Sequence, residues 1–166
     1  MEMLLRTSNI KTQNLPDDAT HLEISVGGND ALQCSNILYE LAVSVSEAMQ
    51  KFTDIWLDFQ TKYKKMLNRV LAFKKPTAVC TIYDSVPDLE PIAVTALSIF
   101  NDVILREAFS AGLPIIDLRL TCTDAKDYSE LSPIEPSSKG GQKIVSAIIS
   151  LLNKHDFSQG RSAVYH

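Results

Sequence analysis

The sequence predicts an α/β protein with a parallel sheet that helices cover on both faces. Strand and helix patterns follow one another in the order strand, helix, helix, strand, helix, strand, helix, and such alternation is typical of βαβ units. Residues 77–84 form a nearly continuous apolar, β-branched run, which is typical of a strand buried on both faces. Three strands would make a short sheet for this class.

The individual elements follow from the spacing of the apolar residues. Three segments have strand patterns: 21–26, 77–84 and 114–120. Four segments have apolar residues at helical spacing: 37–50, 52–71, 92–109 and 144–152. Residues 1–20 are weakly patterned, and residues 154–166 carry little core material. A single domain is therefore expected over 1–153, followed by a C-terminal tail at 154–166.

Charge and hydropathy narrow the classes of partner. A formal net charge of −4 and an isoelectric point near 5.3 leave no basic face, so we expect no nucleic-acid partner. The start, Met1 to Arg6, is too short for a signal peptide. Because no apolar run approaches the roughly 18 residues of a membrane span, we expect a cytoplasmic protein without a membrane partner.

The cysteines and histidines indicate neither a metal site nor a disulfide framework. The three cysteines have no paired spacing, which suits a reducing compartment. The three histidines are widely separated and show no metal-ligand spacing. We therefore expect no metal and no cofactor.

The first predicted strand ends at Gly27-Gly28-Asn29-Asp30. In open α/β sheets, ligands bind just outside the carboxyl ends of the strands. An asparagine there can donate its amide N–H to a developing oxyanion. The alternative interpretation is a polar turn that starts a helix, since Asn and Asp are favoured in both places.

Several separated segments together resemble one enzyme family. The segment 26–32 resembles the Gly-x-Asn-Asp block of the SGNH hydrolases, also called the GDSL family of esterases and lipases. Segments 76–84, 100–109 and 113–120 are similar to the body of a bacterial branch. Residues 132–144 lie where the family has its final catalytic block, just before the last helix. The resemblance covers roughly residues 15–153.

The resemblance implies a flavodoxin-like, three-layer α/β/α fold that hydrolyses carboxylic esters, thioesters or acylated sugars. In such acyl transfer a serine attacks the carbonyl, a histidine takes its proton and an aspartate orients the histidine. Asn29 matches the side-chain donor of the oxyanion hole, and Gly27, Gly28 and Asp30 are expected to border the substrate. Asp84 ends the second predicted strand and is expected either to line the same cleft or to cap the turn.

The chain departs from the family at both ends of the catalytic machinery. No Gly-Asp-Ser sequence occurs, so the nucleophile is not found. In the last block Glu135 stands at the histidine place and Ser132 at the aspartate place. A carboxylate can act as a base when burial raises its pKa toward neutrality. Two functions stay open: an impaired ester hydrolase that acts on a small ester or acylated substrate, and a non-catalytic protein that binds a ligand or partner chain.

The strand that normally carries the family's serine lies beside the strand ending in Gly-Gly-Asn-Asp. Without it, segment 21–26 is expected to lie at an open edge of the sheet, which readily pairs with another chain. We expect a homodimer through that edge or pairing with a separate N-terminal segment. The remaining alternatives are that Leu4-Leu5 rebuilds the edge, or that the chain is a truncated and poorly stable product.

Other reactive or charged residues receive structural interpretations. Ser25 is expected to point into a layer of the fold, and Cys34 to be a buried structural thiol. Asp117 and Arg119 alternate on one strand face, and a buried ion pair to Arg106 or Glu107 is the favoured interpretation. Close packing at a helix start explains the Gly-Gly pair at 140–141.

Overall fold

Four short parallel strands form the sheet in the computed structural model, which describes residues 15–16 and 18–166. They are β1 (Leu22–Ile24), β2 (Thr77–Cys80), β3 (Ile115–Ile116) and β4 (Val164–Tyr165). Their order across the sheet is β1-β2-β3-β4, and every neighbouring pair is parallel. Leu22 lies opposite Thr77, and Val79 opposite Ile115.

Helices cover both faces of this sheet, so the predicted three-layer α/β/α architecture is confirmed. The helices are α1 (Gly28–Gln33), α2 (Val45–Leu71), α3 (Pro91–Ser110), α4 (Leu118–Thr121) and α5 (Ser138–Lys154). Helices α2 and α3 pack on the face that carries Ile24, Val79 and Ile115. Helix α5 packs on the opposite face, against Ala78 and Cys80. None of the helices in the described part of the chain is long and apolar enough to cross a membrane.

Strand β2 is buried along its whole length, as its apolar run predicts. Its side chains alternate between the two cores, with Val79 facing α2 and α3 and Cys80 facing α5. Helix α2 buries Phe59, Tyr63 and Met66 on one stripe of its surface. The sheet therefore contributes both of its faces to the core.

The single helix predicted over 37–50 is wrong, because the chain is not helical throughout this range. Helix α1 is followed by a 3-10 turn over Ser35–Tyr39 and then by a non-helical segment, after which α2 begins. Ser44 has extended backbone, and its side chain accepts the Glu47 N–H at 3.1 Å. This N-cap satisfies a free N–H of the first turn, so α2 begins at Val45.

The strand predicted over 114–120 is shorter than its apolar pattern. It ends because the Asp117 side chain accepts the Arg119 N–H, which starts the single helical turn α4. The close packing predicted for the glycine pair at a helix start is confirmed at Gly140, in the first turn of α5. A Cβ at this position would lie 2.0 Å from the Asp127 carbonyl oxygen, so a side chain does not fit.

The expectation that 154–166 is a tail outside the core is wrong. Its residues 164–165 form β4, and the chain pairs with β3 through hydrogen bonds from Ile115 N–H to the Ala163 carbonyl and from Asp117 N–H to the Tyr165 carbonyl, both 2.8 Å. A strand of two residues is too short for an alternating pattern to be recognised. The sheet consequently has four strands instead of three.

Strand β1 lies at one end of the sheet, as predicted. Within residues 15–16 and 18–166, β2 is its one neighbour. The Leu4-Leu5 segment, the alternative candidate for covering this edge, lies outside the described residues.

Candidate functional site

A cavity of about 270 Å³ opens beside the carboxyl ends of β1 and β2. Most of its wall is apolar, including Phe52, Ile55, Ile82, Leu89, Leu97 and Phe100. Its volume is slightly below the usual range of small-molecule sites, which are concave, mostly apolar and equipped with a few polar groups. The position agrees with the general rule for ligand sites in α/β sheets.

The turn between β1 and α1 forms one side of the cavity. Gly27, Gly28, Asn29 and Asp30 all line it. Gly27 has a φ of 111°, and a Cβ there would lie 3.1 Å from both Ile82 Cδ1 and Phe59 Cζ. A side chain at 27 would thus be strained by its backbone and crowded by the core. The requirement for glycine falls on this first position, since Gly28 has ordinary space around it.

The loop before α5 forms another side, and it brings Glu135 to the cavity. The Glu135 N–H donates to the Ser132 carbonyl at 2.8 Å, which closes a turn. The Tyr83 hydroxyl donates to the Ile134 carbonyl and connects this turn to the segment that follows β2. Two blocks that are far apart in the chain, one with Asn29 and one with Glu135, therefore border the same cavity.

Ser132 and Asp84 do not join them. Neither residue is part of the cavity lining, so of the two interpretations of Asp84 the cleft is not the one the lining supports, and the role of Ser132 at the aspartate place stays a prediction. Ser132 contributes its carbonyl oxygen to the turn. The pKa of Arg119 is raised chiefly by its hydrogen bond to Asp117, and the charge of Asp84 adds to this shift. The charge of Asp84 thus contributes to the raised pKa of Arg119, which is paired with Asp117.

Asp117 forms its ion pair within its own segment. Arg119 Nη2 lies 2.6 Å from Asp117 Oδ2, and Arg119 Nε donates to Oδ1 at 2.8 Å. The predicted partners are wrong because Arg106 pairs with Asp102 and Glu107 accepts from Gln60. The helical turn at 118–121 places the guanidinium next to the carboxylate.

A buried hydroxyl links this ion pair to the cavity wall. Thr81 Oγ1 donates to Asp117 Oδ1 at 2.9 Å and accepts the Leu118 N–H at 2.9 Å. Burial raises the pKa of Asp117, but the hydrogen bonds from Arg119 and Thr81 outweigh it and hold the pKa below its usual value. Thr81 and Leu118 both line the cavity, so the network supports its floor.

Ser25 borders the cavity, and its side chain also forms a hydrogen bond with the buried thiol of Cys80 on the α5 face. It follows the last residue of β1, is exposed to solvent, and lines the cavity with Asn29. The predicted strand over 21–26 includes this residue, whereas the observed strand ends at Ile24, one residue before it. The sequence signal for Ser25 near the cavity is its position at a strand end, two residues before the glycine turn.

The thiols near the site are not activated. Cys34 lines the cavity, and burial raises its pKa, with the charge of Asp58 adding to the shift. Cys80 is fully buried and donates to Glu23 Oε1 at 2.7 Å, while burial raises the pKa of Glu23 and of the Cys80 thiol. A reactive cysteine needs the opposite shift, toward the thiolate.

The histidines lie away from the cavity. The rings of His21 and His155 pack on Phe157, with centroid distances of 5.3 Å and 4.8 Å. No histidine lines the cavity in the described part of the chain. Among the same residues, no group of three or more His, Cys, Asp or Glu side chains is arranged to hold a metal ion.

Comparisons with known proteins identify related folds. No protein-family model matches the chain, and no curated protein matches it. The crystal structure of LAE5, an alpha/beta hydrolase enzyme from the metagenome of Lake Arreo, Spain, is similar with a TM-score of 0.55 and 17% identity. That match covers 81% of this chain and 60% of the LAE5 chain. The extracellular lipase from Streptomyces rimosus is similar with a TM-score of 0.52 and 17% identity, covering 84% of this chain and 70% of the lipase.

These neighbours establish the kind of fold. At 17% identity the likeness concerns the arrangement of strands and helices. The chain spans 60% of the length of one neighbour and 70% of the other. The chain therefore has an α/β fold with a short parallel sheet, similar in arrangement to these two structures.

Proposed function

We propose that this chain is an ester hydrolase of the SGNH type, whose cavity binds a small ester or another acylated molecule. The observation that carries the proposal is that Asn29 and Glu135 border one apolar cavity. The family resemblance assigns these two positions to the oxyanion donor and to the proton acceptor. The hydrolase-like fold is consistent with this chemistry.

The apolar wall suits the acyl group, and the polar rim suits the reacting carbonyl. Asn29 would donate its amide N–H to the carbonyl oxygen as negative charge develops there. Ser25 is the hydroxyl at the end of β1 that lines the same cavity, so it is the first nucleophile to test. Glu135 would take the hydroxyl proton and pass it to the leaving alcohol, and water would then release the acid.

Hydrolysis of p-nitrophenyl butyrate, combined with labelling by a fluorophosphonate, tests the proposal. We expect turnover and covalent labelling of the wild-type chain, and loss of both in Ser25→Ala. Labelling that persists in Ser25→Ala would assign the nucleophile to another residue. A folded chain with neither turnover nor labelling would contradict hydrolysis.

A second candidate function is binding of a partner chain without catalysis, and the edge of β1 favours it. The Leu22 N–H donates to the Pro76 carbonyl at 2.8 Å, so Leu22 directs its backbone groups toward β2. Alternation along the strand then directs the N–H and C=O of Glu23 away from β2. The described residues place no strand on that side, and open edges of this kind pair with other strands.

Size-exclusion chromatography with light scattering distinguishes this candidate. Pairing of two copies through β1 predicts a dimer. Glu23→Pro removes the N–H that points away from β2, so it should convert that dimer to a monomer, and a dimer of unchanged mass would mean that another surface forms it. A stable monomer at all concentrations would contradict a homodimer and leave hydrolysis as the proposal.

A further inference from the structure

Three polar side chains form a hydrogen-bonded row on the face of the sheet that α5 covers. Cys80, which is 1% exposed, donates its thiol proton to Glu23 Oε1 at 2.7 Å. The Ser25 side chain is hydrogen-bonded to the same thiol. We call Ser25, Cys80 and Glu23 the serine row. It connects the rim of the cavity, where Ser25 is exposed, with a buried thiol and a half-buried carboxyl group.

The pairing of β1 with β2 produces the serine row. Ile24 lies opposite Val79, and both belong to the core beneath α2 and α3. Because side chains alternate along a strand, Glu23 and Ser25, on either side of Ile24, point to the opposite face. Cys80 follows Val79 and packs on that face as well. The parallel register thus brings a carboxyl group and a hydroxyl group to one thiol.

The two hydrogen bonds run in one direction, from the cavity toward the carboxyl group. A thiol has a single proton, and Cys80 donates this proton to Glu23. The sulfur is therefore the acceptor in its second bond, and the Ser25 hydroxyl is the donor. This bond holds Ser25 Oγ at the cavity rim and leaves the oxygen lone pairs available to a bound carbonyl group.

The titratable members of the serine row differ from ordinary surface groups. Burial raises the pKa of Glu23, and the hydrogen bond from Cys80 opposes this shift. Burial also raises the pKa of the Cys80 thiol, so the thiol keeps its proton. Cys122 and Tyr63 interact with Cys80 too, and burial raises the pKa of each. The group of the row that changes charge in mild acid is therefore Glu23.

We propose that Cys80 and Glu23 are positioning residues for Ser25: the Glu23 carboxylate engages the thiol proton, and the sulfur holds the Ser25 hydroxyl at the cavity. This inference rests on the proposed function, in which Ser25 is the first nucleophile to test. When a substrate binds, the hydroxyl proton turns from the sulfur to Glu135. Oγ then bonds to the carbonyl carbon, and the electron pair of the C=O bond moves to the oxygen at Asn29.

Protonation of Glu23 disturbs this arrangement. A neutral carboxyl group can donate its own proton to the sulfur, which frees the thiol proton to turn toward Ser25 Oγ. That proton then occupies a lone pair needed for attack. The reaction should accordingly slow down in acid through Glu23, although Glu23 does not touch the substrate.

Hydrolysis of p-nitrophenyl butyrate by folded variants tests the positioning role. Cys80→Ala should lower kcat roughly 10–100-fold and change KM by less than about twofold, because a small displacement of a reacting group affects the rate and not the binding. Cys80→Ser should recover most of this loss, since its hydroxyl can donate to Glu23 and accept from Ser25. Cys122→Ala, which removes another buried thiol, is the matched control and should keep the wild-type kcat.

The pH dependence of kcat provides the second measurement. The wild-type rate should fall as the pH decreases through the raised pKa of Glu23. Glu23→Gln keeps an acceptor oxygen but does not titrate, so this acid limb should move to lower pH. His21→Gln removes another titratable side chain just before β1, away from the cavity, and should leave the limb in place.

The infrared S–H stretching band of Cys80, identified by its loss in Cys80→Ser, reports the serine row without turnover. The band should shift in both Ser25→Ala and Glu23→Gln. A band that neither variant shifts overturns the inference, and so does equal loss of kcat in Cys80→Ala and Cys122→Ala. An active wild type with an unchanged kcat in Cys80→Ala overturns the positioning role alone. A folded wild type without turnover or fluorophosphonate labelling overturns the proposed hydrolysis and the positioning role together.

Discussion

The side chain of Asn101 forms both backbone hydrogen bonds of Ile82, the second residue beyond β2. Its Oδ1 accepts the Ile82 N–H at 2.7 Å, and its Nδ2 donates to the Ile82 carbonyl at 2.9 Å. Asn101 is buried in α3, so this amide takes the place of a neighbouring strand for the backbone groups of Ile82. Ile82 contacts the Gly27 turn and lines the cavity, so the pair connects α3 to the candidate site.

Asn101→Ala should lower the free energy of unfolding by roughly 1–3 kcal/mol, because two half-buried backbone groups of Ile82 lose their partner. Urea unfolding of the wild type and the variant measures the difference. Asn101→Asp keeps the acceptor for the Ile82 N–H and removes the donor to the Ile82 carbonyl. Its loss of unfolding free energy should therefore differ from that of Asn101→Ala. An alanine variant as stable as the wild type would show that water satisfies Ile82.

Gly27→Ala should destabilise the protein by about 1–3 kcal/mol, because the positive φ and the contacts with Ile82 and Phe59 both oppose a side chain. Gly28→Ala is the matched control. It lies next to the first glycine, has no positive φ, and its nearest neighbour outside the helix is at 3.8 Å. Thermal unfolding compares the two, and equal losses would contradict the assignment of the strained turn to Gly27.

Asn29→Ala should lower the turnover of p-nitrophenyl butyrate by roughly 10²–10³-fold, the usual effect of losing one oxyanion donor. Asn36→Ala makes the same chemical change at an exposed position outside the cavity lining and should keep the wild-type rate. Steady-state kinetics of the two variants provide the measurement. A wild-type rate for Asn29→Ala would remove Asn29 from the oxyanion site.

Tyr83→Phe should loosen the loop that carries Glu135, since the hydroxyl can no longer donate to the Ile134 carbonyl. The phenylalanine ring can keep the edge-on contact with Tyr128, whose centroid lies 5.2 Å away. We expect a stability loss of about 0.5–1.5 kcal/mol and faster amide exchange over 129–137. Tyr39→Phe, which removes an exposed hydroxyl from another loop, is the control. Unchanged exchange over 129–137 would show that other contacts hold the loop.

Acid should weaken the protein in part through Asp117. Because the hydrogen bonds of Arg119 and Thr81 hold its folded-state pKa below the usual value, its carboxylate stabilises the fold above the unfolded pKa of about 4. That stability is lost as the pH falls through the lower pKa of the folded state. Urea unfolding at several pH values below about 6 should therefore show a flatter acid loss for Asp117→Asn than for the wild type.

Arg119→Met checks the cause of this pH dependence. It removes the partner and leaves the carboxylate, so the pKa of Asp117 should rise and the acid loss should again be flatter. A variant with the wild-type pH dependence would assign the acid sensitivity to other carboxylates.

The fold could be predicted wherever one segment carries its own pattern. The continuous apolar run of residues 77–84 predicts β2 and its burial on both faces, and the stripe with Phe59 and Tyr63 predicts α2. Strand β4 could not be predicted, since two residues contain no period and their pairing depends on β3. The end of β3 was missed because the Asp117 side chain, which caps α4, overrides the apolar pattern that follows.

The candidate site likewise has one part that the sequence predicts and another part that it does not. The glycine turn before Asn29 is visible in the sequence because strand, Gly-Gly and Asn follow one another locally. The exposure of Ser25, the absence of Asp84 from the cavity lining and the ion pair of Asp117 with Arg119 depend on where neighbouring segments end.

By itself, the sequence determined the class of fold and the turn that carries Asn29, because the burial of a strand or helix face is written in the local spacing of apolar residues. Only the tertiary structure decided that Asn29 and Glu135 border one cavity. The physical reason is that such meetings depend on packing between segments far apart in the chain. No local pattern encodes that packing.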